Sequence, residues 1–249
     1  MTYSSQYQST TDTALMCGGR LRRRVAERVT EGVHLLEVGW PEPVGANAYL
    51  VDDGELTLVD AGLSVPRRSL AGEIGAAGYD PGDIDRVLLT HYDVDHVGGL
   101  ARLALDAPVY LGAPDARLVR GEWSPPLAHH KGLFHRAVRR LYTLEGLDLR
   151  PVEDGDRVGG FRAVYTPGHN PGHTVFVHDA SGTALLGDLV RSSDGGFVAP
   201  PWLDSYDTAL IRDSIVRVAE ESFEHACTGH GRPVGPGADA VLRQLAAEL

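Results

Sequence analysis

Four side chains that can bind a metal ion lie within six residues near the middle of the chain. They are His91, Asp93, Asp95 and His96. The apolar residues 86–90 directly before them predict a short buried strand, and the pair Gly98–Gly99 lets the backbone turn into a following helix. A strand that stops at polar residues presents them at the edge of a sheet. The sequence therefore predicts a cluster of ligands at such an edge.

Three later segments place similar side chains at similar points. A Pro/Gly loop at residues 166–173 carries His169 and His173 between two predicted strands, and such a loop holds an imidazole in a fixed direction. Asp188 follows the predicted strand 183–186, and His230 follows the strand 226–228. If the sheets pack together, all of these groups converge on one rim.

The rest of the chain alternates short apolar segments with helical patterns. Further strands are predicted at 33–38, 48–51, 56–59, 109–111, 162–166 and 174–178, and helices at 66–78, 97–105, 206–221 and from about 237. The helix at 66–78 is expected to begin at Ser64 and Pro66. Two packed sheets with helices outside are the economical architecture. We expect a flexible tail at 1–24 and a single domain at 25–249, with a helical insert at about 114–145.

Composition narrows the classes of function. The chain carries 23 Lys and Arg against 34 Asp and Glu, a net charge of −11, which disfavours nucleic acid as a partner. No apolar stretch approaches the roughly 20 residues that span a bilayer. Two cysteines cannot form a disulfide framework, and no apolar signal segment opens the chain, so a cytoplasmic location is expected. The oligomeric state stays open, with a dimer among the options.

The order of the candidate ligands resembles that of the metallo-β-lactamase superfamily of metallohydrolases, from about Val33 through Val234. The resemblance implies a four-layer αββα sandwich of the α+β class, with a dinuclear metal site at the sheet edge. By position, one metal would take His91, Asp93 and His169, the other Asp95, His96 and His230, and Asp188 would bridge them. His173 would be a supporting group or a substrate contact.

One position departs from the family pattern. The usual motif is His-x-His-x-Asp-His, whereas the second histidine is Asp93 in this chain. The extra carboxylate lowers the formal charge of the site by one, which weakens it as a Lewis acid and favours a harder cation. Two divalent cations are expected, with Zn²⁺ as the first choice and iron or manganese as alternatives because of Asp93.

The implied activity is hydrolysis of a small acyl compound. A metal lowers the pKa of bound water from about 15.7 to about 7, so a metal-activated hydroxide attacks a thioester or lactone carbonyl without a Ser or Cys nucleophile. Asp95 would be the catalytic residue, as a proton carrier, and Asp60 a residue that orients ligands. Alternatives are a mononuclear iron dioxygenase of the persulfide dioxygenase type, a small-phosphoester hydrolase, and a binding module with a decayed site.

Other polar and aromatic residues have less specific interpretations. Cys227 is expected to be a small buried thiol rather than a nucleophile. The insert histidines His129, His130 and His135 would either cap the metal rim or belong to an ordinary amphipathic helix. Trp40 and Trp202 are expected to line a cleft. The three histidines beside strands are read as structural or exposed: His34, His178 and His225.

Overall fold

The computed structural model describes residues 25–38, 45–63 and 68–249 of the 249-residue chain. The predicted tail at 1–24, Trp40, and the helix start at Ser64 and Pro66 lie outside these ranges. Seven strands form the first sheet in chain order: β1 (Glu27–Thr30), β2 (Val33–Glu37), β3 (Asn47–Asp52), β4 (Leu56–Val59), β5 (Arg86–Leu89), β6 (Val109–Gly112) and β7 (Leu149–Val152). Strands β1 to β4 pair antiparallel, and β4 to β7 pair parallel.

Five strands form the second sheet, in the spatial order β14, β11, β10, β9 and β8. Their ranges are β8 (Arg157–Val158), β9 (Phe161–Tyr165), β10 (Thr174–His178), β11 (Thr183–Gly187) and β14 (His225–Thr228). The outer pair β11 and β14 is parallel, whereas the other neighbours are antiparallel. A separate hairpin consists of β12 (Arg191–Ser193) and β13 (Gly196–Val198).

Helices cover the outer face of each sheet. They are α1 (Leu70–Ala77), α2 (Val94–Val97), α3 (Ala113–Val119), α4 (His130–Leu141), α5 (Thr208–Val218) and α6 (Ala238–Glu248). Leu70, Ile74 and Val138 pack on the first sheet, and Ile215 and Leu242 pack on the second. A third apolar cluster fills the space between the two sheets.

This inner cluster joins side chains from both sheets, among them Leu35 and Leu88 from the first and Phe176 and Cys227 from the second. Every residue of the central strands β4, β5, β10 and β11 is buried, as expected for strands covered on both faces. The order of layers is helix, sheet, sheet, helix. The predicted αββα sandwich is confirmed.

Two helix boundaries differ from the prediction. The helix expected at 97–105 is instead the short α2, followed by a single 3₁₀ turn at Leu100–Arg102. The Gly99 amide donates to the carbonyl oxygen of Gly62 at 2.8 Å, outside the helix, and this ends the hydrogen-bond ladder of α2. Helix α1 begins after Ser69, whose side chain accepts a hydrogen bond from the Gly72 amide.

Residues 114–145 contain most of α3 and all of α4, so the segment predicted as a helical insert is largely helical. In the described ranges, no helix is long and apolar enough to cross a membrane.

Candidate metal centre

The seven predicted ligands meet at one edge of the two sheets. Each follows the carboxyl end of a strand: β5 leads to residues 91–96, β9 to the loop at 166–173, β11 to Asp188, and β14 to His230. The parallel pairs β4–β5 and β11–β14 place their carboxyl ends side by side. Candidate ligands that lie as far apart in the sequence as His91 and His230 are thereby brought to one place.

One half of the cluster contains His91, Asp93 and His169. The Nε2 atoms of His91 and His169 lie 3.4 and 3.2 Å from Asp93 Oδ2. His169 Nε2 is 3.8 Å from Asp188 Oδ2. The ligand atoms of His91, His169 and Asp188 lie within 4.8 Å of one another, which is close enough for one cation to bind all three. We call His91, Asp93 and His169 the first position, which has Asp188 beside it.

The other half contains Asp95, His96 and His230, and we call it the second position. Their ligand atoms also lie within 4.8 Å of one another. His230 Nε2 is 3.4 Å from Asp95 Oδ2 and 3.2 Å from Asp188 Oδ2. His96 Nε2 is 3.3 Å from Asp188 Oδ1. Asp188 therefore contacts both positions, which is the arrangement that a bridging ligand requires.

Three buried ligand atoms of this cluster face it without a hydrogen-bond partner: His91 Nε2, His96 Nε2 and Asp188 Oδ1. A buried polar atom without a partner destabilises the fold, so such atoms are expected to serve another interaction. Imidazole nitrogens and carboxylate oxygens are a donor set suited to zinc, and carboxylates also suit manganese and iron. The residues present fit a divalent cation.

Asp60 fixes the tautomers of two of these histidines. The Thr90 hydroxyl donates its proton to Asp60 Oδ2 at 2.8 Å. The same hydroxyl lies 3.0 Å from His91 Nδ1, and because its proton is already used, it must accept the hydrogen bond that Nδ1 donates. Asp60 Oδ2 also accepts from His96 Nδ1 at 2.9 Å. Both Nδ1 atoms are therefore protonated, and Nε2 of each ring is the nitrogen directed into the cluster that can bind a metal. Asp60 has φ of 57°, a backbone conformation uncommon for residues other than glycine.

Replacing Asp60 by Asn is expected to lower the affinity for Zn²⁺ by about 10- to 100-fold. The amide has one oxygen, so its NH₂ group would face either the Thr90 donors or the His96 Nδ1 proton. A change of the His96 tautomer would then place a proton on Nε2. Isothermal titration with Zn²⁺ measures the effect. The matched control is Asp53→Asn. Asp53 Oδ2 also contacts a histidine, His178, at 3.0 Å, but this pair lies away from the cluster. Unchanged affinity in Asp60→Asn would contradict this role.

The protein groups also set the charge of the cluster. Burial lowers the pKa of His91 well below its usual value, and nearby His96 adds to this effect. Burial also acts to lower the pKa of His96, but Asp60 and Asp188 outweigh it and raise that pKa well above normal. For His230, Asp188 likewise outweighs burial and raises the pKa to about 9. A cation that binds His96 and His230 must therefore displace protons.

Both ring nitrogens of His173 have hydrogen-bond partners, so neither is free to bind a metal. Its Nε2 accepts a hydrogen bond from the Asp188 amide at 3.1 Å, and its Nδ1 contacts the Thr166 hydroxyl at 2.8 Å. Burial lowers the pKa of His173 to about 3, so the ring is neutral. His173 thus holds the backbone that carries Asp188. Cys227 lies in the core between the sheets, and burial raises the pKa of its thiol.

Helix α4 contributes two residues to the site: Lys131, which the sequence analysis did not name, and His135, for which it left a place at the metal rim open. Lys131 Nζ is 2.9 Å from Asp93 Oδ2, and His135 Nε2 is 2.5 Å from Asp93 Oδ1. The Asn170 side chain also donates to Asp93 Oδ1, at 3.1 Å. Burial acts to raise the pKa of Asp93, but Lys131 and His135 outweigh it and hold that pKa well below normal. The spacing of Lys131 and His135 is the signal in the sequence, since residues four apart share a helix face.

Lys131 changes the charge balance inferred from the sequence. The extra negative charge of Asp93 is offset by the positive charge of Lys131 at 2.9 Å. The weaker Lewis acidity expected from Asp93 alone therefore does not follow from this arrangement of charges.

The rim beside Asp188 carries polar and aromatic residues. Arg191 is half-buried and pairs with Asp204 at 2.7 Å, and its Nε atom is buried without a hydrogen-bond partner. Trp202 is 67% exposed and contacts the ring of His130. A cavity of about 320 Å³ adjoins the loop that carries His169; its lining includes Trp123, Tyr165, Tyr206 and Leu210.

Comparison with known proteins gives a consistent result. The family model described as the metallo-beta-lactamase superfamily matches residues 41–230. The probable metallo-hydrolase YflN of Bacillus subtilis is 25% identical over 246 residues, covering 88% of this chain and 91% of YflN. The uncharacterized protein YobT of the same organism is 32% identical over 166 residues, covering 63% of this chain and 66% of YobT. The solved structure of TTHA1623 in a di-iron-bound form has 30% identity and a TM-score of 0.62, covering 83% of this chain and 96% of that one.

Proposed function

Since the chain belongs to the metallo-β-lactamase superfamily of metal-dependent hydrolases, we propose that it cleaves a small acyl compound, a thioester or a lactone. The observation that carries the proposal is the convergence of seven imidazole and carboxylate side chains with three unpartnered ligand atoms. The proposal places the whole activity in one domain at 25–249.

The cations belong to the proposal as well. It has two cation positions bridged by Asp188, with Zn²⁺ as the first choice. Iron is the alternative, supported by the di-iron-bound form of TTHA1623. When bound, a divalent cation lowers the pKa of a water molecule to about 7 and polarises a carbonyl oxygen.

Three residues of the chain would perform the remaining steps. The Asp95 side chain is 23% exposed and lies 3.4 Å from His230 Nε2, so it can carry a proton between the site and solvent. Arg191 is half-buried, its guanidinium lies 3.9 Å from Asp188, and it can bind a polar group of the substrate. Asp60 keeps the lone pairs of His91 and His96 directed inward.

The charge of the chain supports a small substrate. The net charge of −11 disfavours a polyanionic substrate such as nucleic acid. No nucleophilic Cys or Ser is required, and the buried Cys227 is not needed for the reaction.

Elemental analysis of protein purified without added metal, followed by a panel of thioesters, lactones and phosphoesters, tests the proposal. We expect bound zinc, and turnover of a thioester or lactone that chelator treatment abolishes and added Zn²⁺ restores. Turnover that is undiminished in chelator would reject it. If only phosphoesters were turned over, the acyl substrate would be rejected and the protein would be a small-phosphoester hydrolase.

A dioxygenase is the second candidate, because Asp93 adds a carboxylate to the first position and TTHA1623 binds iron. Bound iron with oxygen consumption in the presence of a persulfide, and without hydrolysis in the panel, would favour it over the hydrolase.

A further inference from the structure

Lys131 is a buried cation inside the metal cluster. Its side chain is 3% exposed. The ammonium group contacts three acceptors at 2.9 Å each: Asp93 Oδ2, His169 Nε2 and the Asp204 carbonyl oxygen. An ammonium group has three protons to donate and no lone pair, so these three contacts satisfy it completely.

Two of these acceptors are ligand atoms of the first position. A neutral imidazole nitrogen has a single lone pair, so His169 Nε2 either accepts a proton from Lys131 or binds a metal. Asp93 Oδ2 accepts from the same ammonium group, and Asp93 Oδ1 is already engaged by His135 and Asn170. Lys131 and a metal ion at the first position would therefore use the same atoms.

Among the described residues, no lysine or arginine side chain competes for the second position in this way. His96 and His230 lie 3.3 and 3.2 Å from Asp188, and His230 lies 3.4 Å from Asp95. Arg191 approaches Asp188 only at 3.9 Å and is paired with Asp204. The two positions thus differ in one respect: a metal ion at the first must displace a lysine ammonium group, whereas a metal ion at the second displaces only the protons of its own ligands.

We propose that Lys131 makes the two positions unequal, so that the protein binds one divalent cation tightly at the second position while the ammonium group acts as the resident cation of the first. A metal ion enters the first position only when Lys131 leaves Asp93 and His169. This inference deepens the proposed function, on which it rests.

Titration of chelator-stripped protein with Zn²⁺ and with Co²⁺, without any substrate, tests the proposal. For the unmodified chain we expect one tight equivalent and a second that binds at least about 100-fold more weakly, since breaking a buried ion pair is costly. In Lys131→Met, which frees the Asp93 and His169 ligand atoms, the second equivalent should bind at least about tenfold more tightly than before. The absorption spectrum of bound Co²⁺ reports the coordination of each equivalent as it binds.

The matched control is Arg140→Met, which removes an exposed cation from the same helix and should leave both affinities unchanged. Two equivalents with dissociation constants within about threefold in the unmodified chain would overturn the proposal whether or not Lys131→Met folds. Failure of the proposed function has a different signature: either no metal binds to any variant, or metal binds with the inequality described and no substrate is turned over.

Discussion

Replacing His96 by Ala is expected to remove the tightly bound cation and to lower kcat/KM by at least about three orders of magnitude, because water without a metal keeps a pKa near 15.7. His96 is fully buried, and its Nε2 lies 3.3 Å from Asp188 Oδ1. The substitution removes one nitrogen ligand and also leaves Asp60 Oδ2 without the His96 proton. Elemental analysis measures the loss of metal. Steady-state turnover of the thioester or lactone that the substrate panel identifies measures the loss of activity.

The control for His96→Ala is His178→Ala. His178 is also a buried histidine hydrogen-bonded to an aspartate, Asp53, but it lies on β10 away from the ligands. Both variants lose a buried imidazole, so both should lose thermal stability. Only His96→Ala should lose metal and turnover. A His96→Ala protein that keeps its metal content and activity would show that the second position is assigned wrongly.

The fold follows from patterns that are local in the sequence. Continuous apolar segments identified the central strands, since strands covered on both faces need no polar alternation. Strands β7 (Leu149–Val152) and β12 (Arg191–Ser193) were missed because most of their residues are polar or partly exposed, so tertiary pairing rather than side-chain pattern makes them strands. The end of α2 was missed because the Gly99 amide donates to the carbonyl oxygen of Gly62, a residue distant in the sequence.

The candidate site also has a part that the sequence predicts and a part that only the three-dimensional structure shows. Its seven candidate ligands follow strand ends, and that position is visible in the sequence. Lys131 and His135 approach from a helix outside the sheets, and nothing local to α4 shows which element it packs against. Their partner Asp93 looked in the sequence like an uncompensated negative charge. The three-dimensional contacts instead show a buried ion pair and a charge-balanced site.

The ion pair between Asp93 and Lys131 also affects how many metal ions the cluster can bind. In the family pattern a neutral histidine stands at this point. Asp93 and Lys131 together are also neutral, so the exchange preserves the charge of the site while replacing a ligand by an ion pair. On the proposal made above, the second position, with Asp188 beside it, binds metal more tightly than the first.

Replacing Asp188 by Asn is expected to weaken Zn²⁺ binding by at least about 100-fold and to lower turnover in proportion, although the two side chains have nearly the same shape. Asp188 is 2% exposed, and its carboxylate is surrounded by the imidazoles of His96, His169 and His230. An amide keeps one oxygen and directs two protons towards one of the positions, where they would repel a cation. Titration with Zn²⁺ and steady-state kinetics measure the loss.

The same variant has a second consequence that does not depend on metal or substrate. Asp188 is the largest influence that raises the pKa of His230 to about 9 against the opposing effect of burial. In chelator-treated Asp188→Asn that pKa should fall, so that His230 releases its proton at a lower pH than in the unmodified chain. Ring-proton NMR of His230 follows the titration, with Asp53→Asn as the matched control. A His230 pKa unchanged by Asp188→Asn would mean that the two side chains are not in contact, and the bridging role of Asp188 would then fail with it.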